Sequence, residues 1–219
     1  MRKRWRERAG RFVAEGEDLL EAADRAAWSP VERYCAAGSG LSGVEVDAAL
    51  LASASGIASG TRALAVYEER WLPEPIGPLC VYLHGVQDPG NVGAILRSAE
   101  AFGASCVVLG KGSADPFSPR AVRASMGAIF AVPVVRAAGY DELPGHKLAL
   151  VPGQGVPLAD VPVAAEFTLM VGAEREGLPE EAIRGADEVA HVPIETDSLN
   201  AAMAATVALY ELAHRISAR

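Results

Sequence analysis

The sequence predicts an α/β protein in which a small α/β N-terminal lobe precedes a larger domain built on a mostly parallel sheet. From residue 79 onwards, short apolar runs alternate with helix-like stretches, an order typical of parallel α/β folds. These runs are continuous rather than alternating, as expected for strands that are covered on both faces. A proline-rich segment separates them from an alanine-rich region with a weaker pattern.

The predicted N-terminal lobe covers residues 1–71. Its first element is an amphipathic helix over 11–27, because several apolar side chains fall roughly on one side of it. Short strands are expected at 31–36 and 63–68. The side chains on the apolar side of the helix are Phe12, Leu19, Leu20 and Ala23.

Three prolines in LPEPIGP predict an extended linker over 72–78, because proline lacks an amide donor and disfavours helix in the preceding residue. The predicted second domain covers residues 79–219. Its strands are expected at 79–84, 106–109, 132–135, 147–151, 167–171 and 188–193. Its helices are expected at 91–103, 119–130, 179–185 and 199–216.

Charge is distributed unevenly along the chain. The 219 residues carry a formal net charge of −8 and a pI near 5.1, which taken alone argues against a nucleic-acid binder. Residues 1–11, however, hold six basic side chains and one acidic side chain. This basic head is either a solvated tail or an arm that binds phosphates, with Arg4 and Arg8 as its candidate contacts.

The cysteine and histidine patterns favour a cytoplasmic protein without a metal. Cys35, Cys80 and Cys106 form no C-x-x-C motif and are odd in number, so a disulfide framework is not expected. Cys80 and Cys106 lie in apolar runs and are expected to be buried. The four histidines have no metal-ligand spacing. No apolar stretch reaches the ~20 residues of a membrane span, and no apolar segment of a signal peptide follows the basic head.

Ligands of parallel α/β sheets bind at the carboxyl ends of the strands, so the loops after the strands are the candidate site. The first such loop, HGVQDPGNVGAILR, covers residues 84–97. Asn91 is predicted to cap the helix that follows, and Arg97 projects near the same end. The alternative is a plain capped helix with a surface arginine. Neither a dinucleotide fingerprint nor a phosphate-binding loop is present, which counts against an enzyme for a small nucleotide.

The second loop, GAEREGL, covers residues 172–178 after the strand FTLMV. Two glycines bracket an acidic tip, so the loop is either a backbone cradle around a flat ligand, with Glu174 as its polar anchor, or an ordinary strand-to-helix connection.

The third loop, IETDSLN, covers residues 194–200. Asp197 or Ser198 is predicted to cap the long helix that follows, whose positive end favours anions.

The order and spacing of these segments resemble the SpoU–TrmH family of RNA ribose 2′-O-methyltransferases. DPGNVGAILRSAEAFGA is similar to the first signature motif of the family, VGAEREGL to the second and DSLNAAMAATVALYEL to the third. DPFSPRAVRASMGAIFAVPV also resembles a family segment. The resemblance covers roughly residues 79–217. RFVAEGEDLLEAA is similar to the start of the family's substrate-binding domain, although the N-terminal part is shorter here than is usual in the family. The stretch before Ser198 is shorter than in the family and lacks its glycine.

The resemblance implies a SPOUT domain with a C-terminal trefoil knot, S-adenosylmethionine as cofactor, and a homodimer. It implies RNA as substrate, and a separate N-terminal lobe is typical of family members that modify ribosomal RNA. The implied cofactor-binding residues are Val151, Gly172, Ala173, Glu174, Gly177, Val192, Ile194, Ser198 and Leu199. The implied catalytic residues are Arg97, Asn91, Glu174, Ser198 and Asn200. The candidate RNA contacts are Arg97, Arg120, Arg123, Arg4 and Arg8.

Chemistry suggests a role for each catalytic residue. Arg97 is interpreted as an electrostatic clamp on the target phosphate and the nascent alkoxide, since a guanidinium stays protonated and is a poor general base. Asn91 and Asn200 would orient groups by hydrogen bonds, and Glu174 would position Arg97 or the ribose. Ser198 would hold the cofactor or the helix start. Two alternatives remain at this point: a transfer-RNA methyltransferase, and a catalytically silent RNA-binding protein with the same fold.

Overall fold

The structure, a computed structural model, describes residues 6, 8–55, 60–136, 139–140, 142–162, 164–196 and 198–217. Two residues singled out from the sequence, Arg4 and Asp197, lie outside these ranges. Within them, no helix is both long enough and apolar enough to cross a membrane, and no group of three or more His, Cys, Asp or Glu side chains is placed to hold a metal ion.

The N-terminal part folds into a four-stranded sheet with the strand order β1-β4-β2-β3. Only β2 and β3 are parallel, and the other two pairs are antiparallel. One helix follows β1 and another follows β3. The elements are β1 (Arg11–Glu15), α1 (Glu17–Arg25), β2 (Glu32–Ala36), β3 (Val44–Val46), α2 (Ala48–Ala54) and β4 (Ala63–Glu68).

The predicted helix over 11–27 is therefore wrong in its first third. Phe12 and Ala14 are buried, whereas their neighbours in β1 are half-buried, which is the period of a strand. Gly16, with φ of 102°, then turns the chain into α1. The strands expected at 31–36 and 63–68 are confirmed as β2 and β4.

The rest of the chain builds an eight-stranded sheet in the order β10-β12-β9-β11-β6-β7-β8-β5, with every neighbouring pair parallel. This confirms the predicted α/β class with a mostly parallel sheet. The strands are β5 (Trp71–Leu72), β6 (Leu79–Leu83), β7 (Cys106–Leu109), β8 (Val134–Arg136), β9 (His146–Leu150), β10 (Val156–Pro157), β11 (Phe167–Val171) and β12 (Glu188–His191). The helices are α3 (Pro89–Ala101), α4 (Pro119–Ser125), α5 (Ala128–Ala131), α6 (Glu180–Arg184) and α7 (Ala201–Ser217), with a 3₁₀ turn at Leu158–Asp160.

The single helix expected over 119–130 is broken into α4 and α5. Met126 has a left-handed backbone with φ of 50°, and Gly127 follows with φ of 101°. A Cβ on Gly127 would lie 2.5 Å from the Cβ of Ala22 in α1. The break therefore lets the second part of this segment pack closely against the N-terminal lobe.

An aromatic cluster joins the N-terminal lobe to the larger sheet. The Phe12 ring centroid lies 4.8 Å from that of Phe117 and 5.8 Å from that of Phe130. Trp28 packs on Phe130 and donates from Nε1 to its carbonyl oxygen at 2.9 Å. Tyr67 completes the cluster, and burial raises its pKa to about 12. Aromatic residues form only 6% of the chain, so their concentration here marks the main contact between the two parts.

The crossing from one sheet to the other occurs just before the predicted linker. Trp71 and Leu72 pair with Val134 and Val135 of β8, so the larger sheet already begins at Trp71. The domain limits of 1–71, 72–78 and 79–219 remain predictions, as does the trefoil knot. Cys80 and Cys106 are buried as expected, and their Sγ atoms lie 3.4 Å apart across β6 and β7.

Candidate active site

A cavity of about 490 Å³ opens at the carboxyl ends of β9, β11 and β12. Its walls come from the loops that follow these strands and from the start of α7. All nine residues that the sequence singled out for the cofactor line this one cavity. They are Val151, Gly172, Ala173, Glu174, Gly177, Val192, Ile194, Ser198 and Leu199.

Other lining residues were not singled out from the sequence. Leu178 and Ile183 add apolar surface from the segment after β11, and Gln154 adds a polar group from the loop after β9. The glycines on both sides of Gln154 are a sequence signal for a tight loop there. No local signal identifies Ile183, because its position at the cavity depends on how α6 packs against the sheet.

The loop at residues 172–177 is closed on itself by backbone hydrogen bonds. The Ala173 amide donates to the Gly177 carbonyl at 3.2 Å, and the Gly177 amide donates to the Ala173 carbonyl at 2.9 Å. Gly177 has φ of 68°, which favours glycine at this position. The closure holds Glu174, Arg175 and Glu176 at an exposed tip beside the cavity.

The helix caps differ from those predicted. Asp88, rather than Asn91, caps α3, and it accepts a hydrogen bond from the Gly90 amide at 2.6 Å. Asn200, rather than Ser198, caps α7, and its Oδ1 accepts from the amides of Ala202 at 2.9 Å and Met203 at 3.3 Å. Each true cap stands where its side chain reaches the free amides of the first turn.

Because Asp88 caps α3, the Asn91 side chain is available to connect the first loop to the second and third loops. Asn200 donates from Nδ2 to Oδ1 of Asn91 at 3.2 Å, and Asn91 donates from Nδ2 to Oε1 of Glu174 at 2.6 Å. The amides of α7 orient Asn200, so every donor in this chain of hydrogen bonds points from α7 towards the Glu174 carboxylate. Asn91, Glu174 and Asn200, which are 109 residues apart at the extremes, are thus brought together.

Arg97 is not brought into this network. It is exposed on α3, does not line the cavity, and its side chain makes no hydrogen bond or ion pair with any described residue. Of the two roles considered for Glu174, contact with Arg97 is not formed in the described part of the chain, and contact with the ribose stays a prediction. Ser98, the next residue, contacts Thr206 of α7 through hydroxyl oxygens 2.6 Å apart, and this contact joins α3 to α7.

The candidate RNA-binding arginines occupy different surroundings. Arg120 is exposed and forms an ion pair of 3.0 Å with Asp88, the α3 cap. Arg123 pairs at 3.7 Å with Glu15 of β1, which is largely buried, so this side chain links α4 to the N-terminal sheet. Arg8 is exposed.

His84 lies at the carboxyl end of β6, beside the first loop. Its amide donates to the Val171 carbonyl at 2.9 Å, and its Nδ1 lies 3.2 Å from the Tyr82 hydroxyl. Burial, followed by the charge of Lys111, lowers the pKa of His84 below its ordinary value. The lowered pKa favours the neutral form of the ring over the charged form.

Solved structures share the fold of almost the whole chain. An AdoMet-bound rRNA methyltransferase from Sinorhizobium meliloti superposes with a TM-score of 0.88 at 29% identity, covering 98% of this chain and 91% of that one. The SpoU methyltransferase AviRb from Streptomyces viridochromogenes, in complex with AdoMet, has a TM-score of 0.88 at 26% identity, covering 100% and 96%. Both comparisons include the N-terminal lobe.

Sequence relatives match a little under two thirds of the chain. The 23S rRNA (guanosine(2553)-2′-O)-methyltransferase RlmP of Bacillus subtilis (strain 168) is 36% identical over 138 residues, which are 59% of this chain and 56% of that protein. An uncharacterized tRNA/rRNA methyltransferase of Mycobacterium tuberculosis (strain H37Rv) is 42% identical over 142 residues, 59% of this chain and 49% of that protein. The chain thus spans about half the length of these relatives.

A family model matches the region of the chain that contains the three loops and the first cavity. Residues 78–210 match the model of the SpoU rRNA Methylase family, which is more than half of the chain. This protein therefore belongs to the SpoU rRNA methylase family.

Proposed function

We propose that this protein transfers a methyl group from S-adenosylmethionine to a ribose 2′-hydroxyl of ribosomal RNA, in the cytoplasm. The proposal is carried by the first cavity, where nine residues from the loops after β9, β11 and β12 meet. Its position at the carboxyl edge of a parallel sheet is where such folds bind ligands. The names of the Sinorhizobium and Bacillus proteins support the same cofactor and the same class of RNA.

The cavity suits a cofactor that is part apolar and part polar. Leu178, Ile183 and Leu199 offer apolar surface for a flat base, while Glu174 and Gln154 offer polar groups. The Glu174 carboxylate would also favour the positive charge of a sulfonium. When bound, S-adenosylmethionine supplies the activated methyl group.

The residues of the chain would align the ribose and stabilise developing charge. Orientation of the hydroxyl can contribute about 7–11 kcal/mol towards the barrier. Asn91 and Glu174, held by their hydrogen bond, would fix the ribose side of the site. Arg97 would stabilise the nascent alkoxide and hold the target phosphate, because a guanidinium combines a positive charge with several hydrogen-bond donors.

We further propose that the protein is a homodimer whose subunits meet through α7. Met203, Val207 and Tyr210 are 60%, 41% and 52% exposed, and their spacing of four and three residues places them on one face of the helix. Such a row of large apolar side chains suits an isologous interface. α7 packs against α3, the helix that carries Arg97, through the contact between Ser98 and Thr206.

The proposed reaction is tested with tritium-labelled S-adenosylmethionine and unmodified transcripts of 23S rRNA, 16S rRNA and transfer RNAs. The expected result is label in ribosomal RNA that survives as a 2′-O-methyl nucleoside after nuclease digestion. Label found only in transfer RNA would overturn the choice of substrate. No label in any RNA, with no cofactor binding by calorimetry, would overturn the enzyme.

A further inference from the structure

A second cavity, of about 580 Å³, opens beyond the start of α3. Leu109 and Arg136, the last residues of β7 and β8, line it, so it lies on the same carboxyl edge of the sheet as the first cavity. The loop at residues 110–118 forms much of its wall. None of its lining residues belongs to the first cavity.

The first turn of α3 lies between the two cavities. Gln87 and Pro89 line the second cavity, whereas Asn91 bonds to Glu174, which lines the first. Only one turn of helix therefore separates them. A strand of RNA whose ribose reached Asn91 would have its neighbouring nucleotide beside the second cavity.

The charges around the second cavity favour an anion. Arg6 and Asp115 line it and neutralise each other in an ion pair of 2.7 Å. Arg136 also lines it, is exposed, and has no acidic partner within ion-pair distance among the described residues. The cavity is thus left with one unpaired positive charge.

Arg6 also leaves a hydrogen-bond donor unused. The residue is only 3% exposed, and its two terminal nitrogens donate to Asp115 at 2.7 Å and to the Phe117 carbonyl at 3.0 Å. Its Nε is buried without an acceptor in the described part of the chain. Buried donors are nearly always paired, so Arg6 is an unusual residue of this wall. Because its Nε is itself covered by the chain, the positive charge that the cavity offers to a ligand is that of Arg136.

Arg136 is held flat on an aromatic ring. Its guanidinium carbon lies 4.0 Å from the centroid of the Trp71 ring. Trp71 is itself fixed by Phe117, whose ring meets it edge-on with centroids 5.2 Å apart and planes at 81°. One face of the guanidinium is covered by Trp71, and the opposite face is left for a ligand. Unpaired RNA bases stack on arginine planes as they do on aromatic rings.

We propose that the second cavity binds an unpaired nucleotide of the substrate RNA adjacent to the methylated one, with its base stacked on Arg136. The phosphate and sugar oxygens of this nucleotide would meet the positive charge of Arg136. The choice of RNA as ligand rests on the proposed function. The cavity would then contribute to the selection of an unpaired target strand.

The test uses Arg136→Ala, Arg136→Lys and, as control, Arg184→Ala. Arg184 ends α6, is exposed, and lines neither cavity, so its loss changes the net charge equally. Affinity for an unmodified 23S rRNA transcript is measured by filter binding at several salt concentrations, without cofactor. Cofactor affinity is measured separately by calorimetry.

Arg136→Ala is expected to weaken RNA binding by about tenfold or more, as for loss of one stacked base, with unchanged cofactor affinity. Arg136→Lys keeps the charge but not the plane, so it should keep the salt dependence of the wild type and recover little affinity. Arg184→Ala should bind RNA like the wild type.

Three results would overturn the inference. They are equal RNA affinity of Arg136→Ala and Arg184→Ala, full recovery by Arg136→Lys, and displacement of the RNA by free nucleoside monophosphates at concentrations comparable to that of the RNA. Because RNA binding is measured without turnover, this outcome is separate from that of the proposed reaction. A wild type that methylates RNA while Arg136→Ala binds normally refutes only the second cavity. A wild type that binds RNA through Arg136 but transfers no methyl group refutes only the enzyme.

Discussion

Nδ2 of Asn91 donates to Oε1 of Glu174 at 2.6 Å, and this bond ties the first turn of α3 to the closed loop after β11. Asn91 also accepts from Asn200 of α7. One amide side chain therefore uses its donor towards one loop and its acceptor towards another. A substitution that removes either the donor or the acceptor of this side chain should therefore change the positions of both Glu174 and Asn200.

Asn91→Asp should be more damaging than Asn91→Ala. The aspartate would face the Glu174 carboxylate at hydrogen-bonding distance, and two like charges there repel each other. We expect methyl transfer to fall by more than about tenfold for the aspartate variant relative to the alanine variant, the effect of roughly 1.4 kcal/mol. Steady-state transfer of labelled methyl groups to rRNA measures this. Equal activity of the two variants would contradict the arrangement.

Arg97→Ala should abolish methyl transfer and leave cofactor affinity within about twofold of the wild type. The reason is that Arg97 lies outside the cavity, whereas its charge is proposed to act on the RNA and the alkoxide. Calorimetry and the labelled-methyl assay separate the two effects. Glu174→Ala is the comparison, since Glu174 lines the cavity and its loss should affect both quantities. Full turnover by Arg97→Ala would remove this residue from the mechanism.

Val207→Glu should convert the proposed dimer to a monomer. A charge in the middle of the exposed row on α7 would be buried without a partner if the subunits paired there. Light scattering after size-exclusion chromatography gives the mass directly. Leu50→Glu is the matched control, because Leu50 is 62% exposed on α2, outside the proposed interface. A dimer that persists in Val207→Glu would exclude this face.

Gly127→Ala should destabilise the protein by about 1–3 kcal/mol. Gly127 has a left-handed backbone, which is strained for any residue with a Cβ. The added Cβ would also collide with Ala22 of the N-terminal lobe. Urea unfolding measures the change in the free energy of unfolding. Gly103→Ala separates the two causes, since Gly103 has φ of 68° but open space around its Cβ position. Equal losses in both variants would mean that backbone strain alone is responsible.

Deletion of residues 1–5 should weaken RNA binding and flatten its salt dependence while sparing cofactor affinity. Four of the six basic residues of the head lie at positions 1–6, and the deletion removes three of them but retains Arg6 with its buried contacts. Filter binding over a series of salt concentrations measures the slope. An unchanged slope would return the head to the role of a solvated tail.

The strands of the larger sheet were the most predictable part of the fold. The runs at 106–109 and 167–171 coincide with β7 and β11, because strands buried on both faces need apolar residues at every position. The segment at 11–15 misled because Phe12 and its neighbours satisfy both a helical and a strand period over so short a length. The break at Met126 depends on contact with the N-terminal lobe, which no local pattern contains.

The candidate site was predictable to a different extent. The nine residues around the first cavity came from a resemblance between motifs, and their role in binding stays a prediction. The local rule that Asn, Asp and Ser cap helices identified the right residue types but chose the wrong members, because several such residues adjoin each helix start. The second cavity had no signature, since Arg6, Trp71 and Arg136 come from three distant parts of the sequence.

The aromatic join between the two parts also bears on how the chain folds as it is made. Trp28 donates to the carbonyl of Phe130, which is 102 residues further along. At synthesis rates of about 5–20 residues per second, the ribosome adds Phe130 roughly 5–20 s after it has added Trp28. During that interval the apolar side chains that later pack on Phe130 lack this partner. We therefore expect the nascent lobe to expose apolar surface of the kind that chaperones bind.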